Sequence, residues 1–293
     1  MMNTATLYKT VAGEQAVMAT YDAALKNWPV AYQTQYISTR HGDTFVIASG
    51  DALLPALILL HGAGSNSTMW AGDVSDYSHH YRVYAVDLPG EAGKSTTNRP
   101  AWYSPAFAEW LEDIFDGLQV ERATLVGISQ GAWTALKYAV VRPDRIDKLV
   151  LLAPGGIVPD RPSFLIRAIG LMMLGKWGIR RMVNDLFADQ PVPEGVVDIV
   201  LQTTTQFKPR IGVLPIFSDD ELRCLTMPVL LLGGTKDIIR DMSKIEARLH
   251  NLLPHLKSAI IPGAGHALLD TKDRVMEFLM RYEPCLGGTT VTM

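Results

Sequence analysis

Residues Gly127-Ile128-Ser129-Gln130-Gly131 form a G-x-S-x-G pentapeptide, the spacing in which a serine hydroxyl on a sharp turn can attack an acyl carbonyl. By chance such a pentapeptide arises in roughly one chain in twelve of this length, so its neighbours must decide whether it means anything. The preceding run Ala123-Thr124-Leu125-Val126 is strand-like. The residues after it place Ala132, Ala135, Leu136, Ala139 and Val140 on one helical face before Arg142-Pro143. A strand-to-helix turn holds Ser129 in a strained conformation, and the flanking glycines leave room for the neighbouring backbone. The hydroxyl then sits at a helix N-terminus, where free N–H groups and the dipole favour developing negative charge.

A serine hydroxyl needs a base to take its proton, and a third group to orient that base. Of the seven histidines, His41 falls in a hairpin turn, His79 and His80 in a polar stretch before Val83, and His250 and His255 beside an expected helix end, and all five read as solvated. His266 instead follows the last strand-like run through Pro262-Gly263-Ala264-Gly265, a loop tight enough to aim an imidazole back over a sheet. The orienting carboxylate should come from another strand end. Val229 to Leu232, followed by Gly233-Gly234-Thr235-Lys236-Asp237, supplies Asp237. Asp270, before a helix spanning Thr271 to Tyr282, fits a helix cap. Two N–H donors for an oxyanion are expected from Ala63, in the loop His61-Gly62-Ala63-Gly64, and from Gln130. His61 is expected to brace that loop.

These groups need a sheet whose strand ends converge. Residues 13 to 27 read as a leading helix stopped near Trp28-Pro29. Tyr36 to Arg40 and Thr44 to Ala48 predict a hairpin at a sheet edge. Apolar runs at 56–60, 83–86, 123–126, 148–152, 229–232 and 258–261 alternate with helical stretches. That alternation predicts an α/β fold with a mostly parallel central sheet and helices on both faces. Residues 154–225 lack a strand-like run and are expected to form an inserted helical cap, leaving 1–153 and 226–293 as the core. In that interval Ser163 to Gly175 predicts a helix packed over the sheet edge, with a membrane-surface contact as the alternative. Met172, Met173 and Trp177, with Phe164, Leu165 and Ile169, are candidates to line an acyl pocket or to form the core between cap helices.

Composition removes several other classes. The chain has 293 residues, 48% hydrophobic and 19% charged, enough to bury a sizeable core without staples. A net charge of −3 gives no electrostatic reason to hold nucleic acid. Cys224 and Cys285 have neither the number nor the spacing of a disulfide framework or zinc site, and no H-E-x-x-H is present, so no metal is expected. Gly93-Lys94-Ser95 resembles the end of a phosphate-binding loop, but Leu88 stands where that pattern needs glycine. Met1 to Thr10 lacks a leader-like pattern and no apolar run spans a bilayer, so stable membrane insertion is not expected and the cytoplasm is the expected location.

The order Ser129, Asp237, His266, the His-Gly loop after an early strand and the helical interval after Leu149–Leu152 resemble the α/β-hydrolase fold superfamily, specifically its capped carboxylesterase-like serine hydrolases. The likeness runs from Tyr36 to Tyr282. It implies a Ser-His-Asp triad, an acyl-enzyme, no cofactor, and a substrate pocket between cap and sheet. One departure is Asp87 to Ser95, a residue longer than the D-x-x-G-x-G-x-S stretch common there. The expected reaction is hydrolysis of small or medium uncharged esters. Its rate should fall below about pH 6 to 7 as a histidine base takes a proton. The same triad acting on a C–C bond, thioester or lactone, or in perhydrolysis, is the nearer alternative, and a low-turnover small-ligand sensor on this scaffold the farther one.

Overall fold

A computed structural model describes residues 7–210 and 212–281; Cys285 and Tyr282, the expected end of the last helix, lie outside them. In chain order the elements are α1 (Val11–Lys26), β1 (Tyr32–Ile37), β2 (Thr44–Ser49), β3 (Ala56–Leu60), α2 (Val74–Ser78), β4 (Arg82–Val86) and α3 (Ala106–Gly117). There follow β5 (Ala123–Ile128), α4 (Gln130–Ala139), β6 (Ile146–Leu152), α5 (Pro162–Met173), α6 (Gly175–Phe187), α7 (Val196–Gln206) and α8 (Asp219–Arg223). The chain continues through β7 (Val229–Gly234), α9 (Met242–Leu252), β8 (Lys257–Ile261) and α10 (Lys272–Arg281).

The strands form one eight-stranded sheet in the order β1-β2-β4-β3-β5-β6-β7-β8. β1, β2 and β4 are antiparallel neighbours, and every pair from β4 to β8 is parallel. The expected edge hairpin is there, with β1 starting and ending earlier than Tyr36–Arg40 and with Ile37 opposite Thr44. Side chains alternate across a strand, so a run apolar at every position needs cover on both sides. Ile58, Leu60, Leu125, Leu149 and Leu231 pack with Trp110 and Phe115 of α3, Leu136 of α4 and Ile245 of α9. Leu57, Leu59, Val83, Val126 and Leu232 face the other way, onto Tyr21 of α1, Tyr77 of α2 and Phe278 of α10.

Helix ends follow local chemistry. The Thr10 side chain accepts the Gly13 N–H at the start of α1, and Ser218 with Glu221 closes a capping box on α8. Asp270 does not cap α10. It is exposed at φ 53°, and the helix begins one residue later than expected, so Thr271 holds the position before it and accepts the Val275 N–H at 3.0 Å.

Between β6 and β7 lie α5 to α8. Ile157, Phe217, Leu222 and Leu225, at the two ends of this interval, join the main core. α7 is clasped by α1, where Thr20 Oγ1 donates to Gln202 Oε1 at 2.7 Å and Gln202 Nε2 donates to the Ala16 carbonyl at 3.0 Å. The apolar stretch expected over the sheet edge forms α5, which packs most extensively on α6; no residue of it is buried, and Ser163, Phe164 and Arg167 share a cavity lining with the loop after β7. Among the described residues, no helix is long and apolar enough to cross a membrane.

Candidate active site

Ser129 sits at the end of β5 with φ 54° and ψ −109°, a strained backbone for a residue with a Cβ. Its N–H donates to the Leu152 carbonyl at 2.8 Å, and its carbonyl accepts the Trp133 N–H at 3.1 Å, which anchors the turn to β6 and to α4. Gly131 lets α4 start hard against β3: a Cβ there would lie 2.1 Å from the Leu60 carbonyl oxygen.

At the end of β7, Gly234 performs the same service between two loops. A Cβ on it would lie 2.1 Å from the Ala264 carbonyl oxygen. That oxygen accepts the Lys236 N–H at 2.9 Å, and the Ile261 carbonyl accepts the Thr235 N–H at 3.0 Å. The loops carrying Asp237 and His266 are thus stitched together. Asp237 Oδ2 lies 2.8 Å from His266 Nδ1, and His266 Nε2 lies 3.0 Å from Ser129 Oγ. The other Asp237 oxygen accepts the N–H groups of Ile239 at 2.7 Å and Arg240 at 2.9 Å. Burial alone would raise the Asp237 carboxyl. The hydrogen bond and charge of His266, with the two backbone donors, outweigh it and hold the group below the usual carboxylate range.

The loop after β3 lies over the serine, and a Cβ on Gly62 would be 3.8 Å from Ser129 Cβ. His61 is fully buried, and its Nε2 accepts the Leu88 N–H at 2.9 Å. Its proton therefore sits on Nδ1, which donates to the Gly62 carbonyl at 2.8 Å, so both ring nitrogens are spent on bracing. Ala63 lies between Gly62 and Gly64, and Gln130 opens α4 next to the serine.

Two residues here escaped the sequence reading. Glu91 is buried and accepts from Gly64 N–H at 2.7 Å and from Gln130 Nε2 at 3.0 Å, tying the β3 loop to the start of α4. It stands in the stretch that is one residue longer than its usual form, the only hint of it in the sequence. Arg240 is 4% exposed, with Nη1 3.2 Å from Ser129 Oγ; nothing in its sequence setting marks it. The glycine-lysine-serine triplet has structural partners: Lys94 pairs with Asp22, and Ser95 Oγ donates to the Asp87 carbonyl at 2.7 Å.

The remaining histidines stay out of the site. His41 is half-buried against Glu109 at 2.9 Å, and His79, His80, His250 and His255 are exposed. A cavity of about 450 Å³ abuts Asp237, lined by Arg161, Ser163, Phe164, Arg167, Thr235, Lys236 and Ile238. Its three cations face carboxylates already, Arg161 with Asp241, Arg167 with Asp185 and Lys236 with Asp189. Met172, Met173 and Trp177 are not in its lining; they are 49%, 83% and 64% exposed. They form neither a core between helices nor the wall of this cavity, because no residue of α5 is buried and these three side chains are exposed.

Comparison with known proteins gives this arrangement a lineage. Residues 57–278 match the model of the Alpha/beta hydrolase family. A Bacillus subtilis protein named as an uncharacterized carboxylesterase, nap, is 33% identical over 273 residues, covering 90% of each chain. The crystal structure of naproxen esterase (carboxylesterase NP) from Bacillus subtilis superposes with a TM-score of 0.82 at 31% identity, covering 92% of this chain and 99% of that one. Carboxylesterase CesB (YbfK) from the same organism gives 0.81 at 31% identity, with the same coverage. A sheet that delivers a strained serine, an imidazole and a carboxylate to one edge, and a match of this extent, lead to one conclusion: the chain belongs to the alpha/beta hydrolase family and is a carboxylesterase-like hydrolase.

Proposed function

We propose that the protein hydrolyses small to medium uncharged carboxylic esters through an acyl-enzyme on Ser129. The observation that carries this reading is the unbroken line from Ser129 Oγ through His266 to Asp237, at 3.0 and 2.8 Å. Asp237 fixes the tautomer with the proton on Nδ1, which leaves Nε2 to take the serine proton as Oγ attacks the acyl carbonyl. The N–H groups of Ala63 and Gln130 are assigned to the oxyanion, and Glu91 keeps their two segments in register. His266 then protonates the departing alcohol, and a water repeats the sequence to release the acid.

Relatives named as carboxylesterases and naproxen esterase support an ester as the substrate. Residues 154–225 are assigned as the cap, with Met172, Met173 and Trp177 as the apolar approach that a substrate crosses. A p-nitrophenyl ester series with Ser129→Ala tests the reading. Turnover by the wild type that is lost in the variant supports it, and turnover that survives in the variant, or activity confined to thioesters, lactones or C–C bonds, rejects it.

A further inference from the structure

We infer that Arg240 is a catalytic residue of this site, a cation that hydrogen-bonds Ser129 Oγ and stabilises the negative charge that this oxygen carries during attack and departure. The inference rests on the proposed role of Ser129 as nucleophile. Arg240 is buried and held at three points: Nη1 donates to Ser129 Oγ at 3.2 Å and to the Ala153 carbonyl at 3.1 Å, and Nε donates to Asp160 Oδ1 at 2.8 Å. Its backbone N–H also reaches Asp237 at 2.9 Å. One residue therefore touches both ends of the Ser129–His266–Asp237 line. Space for the guanidinium is left by Gly155, where a Cβ would lie 3.1 Å from Nη2.

The chemistry follows from donor counting. Arginine donates and does not accept, so the Ser129 hydroxyl can only accept from it. That fills one lone pair of Oγ and leaves the hydroxyl proton to His266 Nε2, the acceptor at 3.0 Å. In acylation the Oγ–C bond forms as the proton passes to Nε2 and the carbonyl electron pair moves to its oxygen; the alcohol C–O bond then breaks, and the alcohol takes that proton. In deacylation the attacking water gives its proton to Nε2, and the C–Oγ bond breaks with its electron pair returning to Oγ, which recovers the proton. Oγ holds excess charge as it attacks and as it leaves, and at both moments a fixed cation is already in contact with it, with no reorganisation required. A lysine has one point of contact where the guanidinium uses three, so it should restore charge without restoring geometry.

The test compares wild type, Arg240→Met, Arg240→Lys and Asp160→Asn, with thermal melts to establish folding. Read-outs are the second-order rate of fluorophosphonate labelling, and kcat and KM on p-nitrophenyl butyrate. Labelling forms the Oγ–P bond with loss of fluoride and needs no deacylation, so a defect confined to deacylation does not enter it, while KM reports substrate binding separately. In Arg240→Met both the labelling rate and kcat should fall about 10- to 100-fold with KM within threefold. Arg240→Lys should recover part of the loss, and Asp160→Asn, which loosens the tether but keeps the cation, should fall between. Where Arg240→Met does not fold, Arg240→Gln takes its place. Labelling and kcat within twofold of wild type in the folded variant overturn the inference. So does a loss confined to KM and melting temperature, or one that lysine does not relieve at all. If the wild type itself neither labels nor hydrolyses the ester, the reading of Ser129 as nucleophile fails instead.

Discussion

Asp237 presents one oxygen to His266 Nδ1 at 2.8 Å and keeps the other on the N–H groups of Ile239 and Arg240. The carboxylate is thereby fixed in position as well as in charge. Its depressed pKa keeps it ionised through neutral and mildly acidic pH, so a loss of activity over that range does not come from this group. Asp237→Asn should lower kcat by about 10⁴ through the wrong imidazole tautomer. Steady-state kinetics check this, and a loss below tenfold would remove Asp237 from the role assigned to it.

Glu91 joins Gly64 N–H to the side chain of Gln130 in a buried position. Glu91→Gln keeps the shape but turns one acceptor into a donor, so one of these two N–H groups loses its partner. The expected cost is about 1–3 kcal/mol of stability. A several-fold drop in kcat/KM should accompany it as the segments bearing Ala63 and Gln130 loosen. Urea denaturation together with ester kinetics measures both; unchanged kinetics in a destabilised variant would confine Glu91 to folding.

Asp73, before α2, has its carboxyl pushed up to about 6, first by burial and then by Asp76, with Lys272 opposing. The folded value lies above the unfolded value of about 3.9, so this group's stabilising contribution is fully present below about pH 4 and lost as pH rises through 6. Asp73→Asn carries no such loss. Its stability relative to wild type should therefore rise between pH 4 and pH 7.5, by about 1–2 kcal/mol after allowance for partial exposure. Denaturation midpoints at the two pH values decide, and a pH-independent difference would contradict the assignment.

Gly131→Ala places a methyl carbon 2.1 Å from the Leu60 carbonyl oxygen, where only backbone movement can relieve the clash. The start of α4 would have to leave β3, costing about 3 kcal/mol or more. A melting temperature within a few degrees of wild type would show that the α4–β3 junction yields.

Much of this architecture was legible in advance because its cause is periodic. β3 matches its apolar run residue for residue, and β4 to β8 each contain theirs; in β3, β5, β6 and β7 the reason is that strands covered on both faces must be apolar throughout. Ser129, Asp237 and His266 were legible because each ends a strand in a glycine-bearing loop. Glu91 and Arg240 were not. Both are charged residues buried beside partners 39 and 111 residues away in the chain, and local patterning carries no trace of such partners. The apolar stretch of α5 misled for the converse reason: composition suggests burial, but nothing in it shows whether a neighbouring element arrives to cover it.

Ser129 as the acyl-carrying atom is the premise on which the chemistry depends, and trapping the intermediate tests it. The protein is mixed with p-nitrophenyl butyrate, quenched in acid within the first turnover and digested, and the peptide containing Gly127–Gly131 is examined by mass spectrometry. A butyryl group on Ser129, formed with a burst of p-nitrophenol and absent from Ser129→Ala, is the expected result. Hydrolysis that proceeds at full rate in Ser129→Ala, or a butyryl group found on a different residue, would contradict the account.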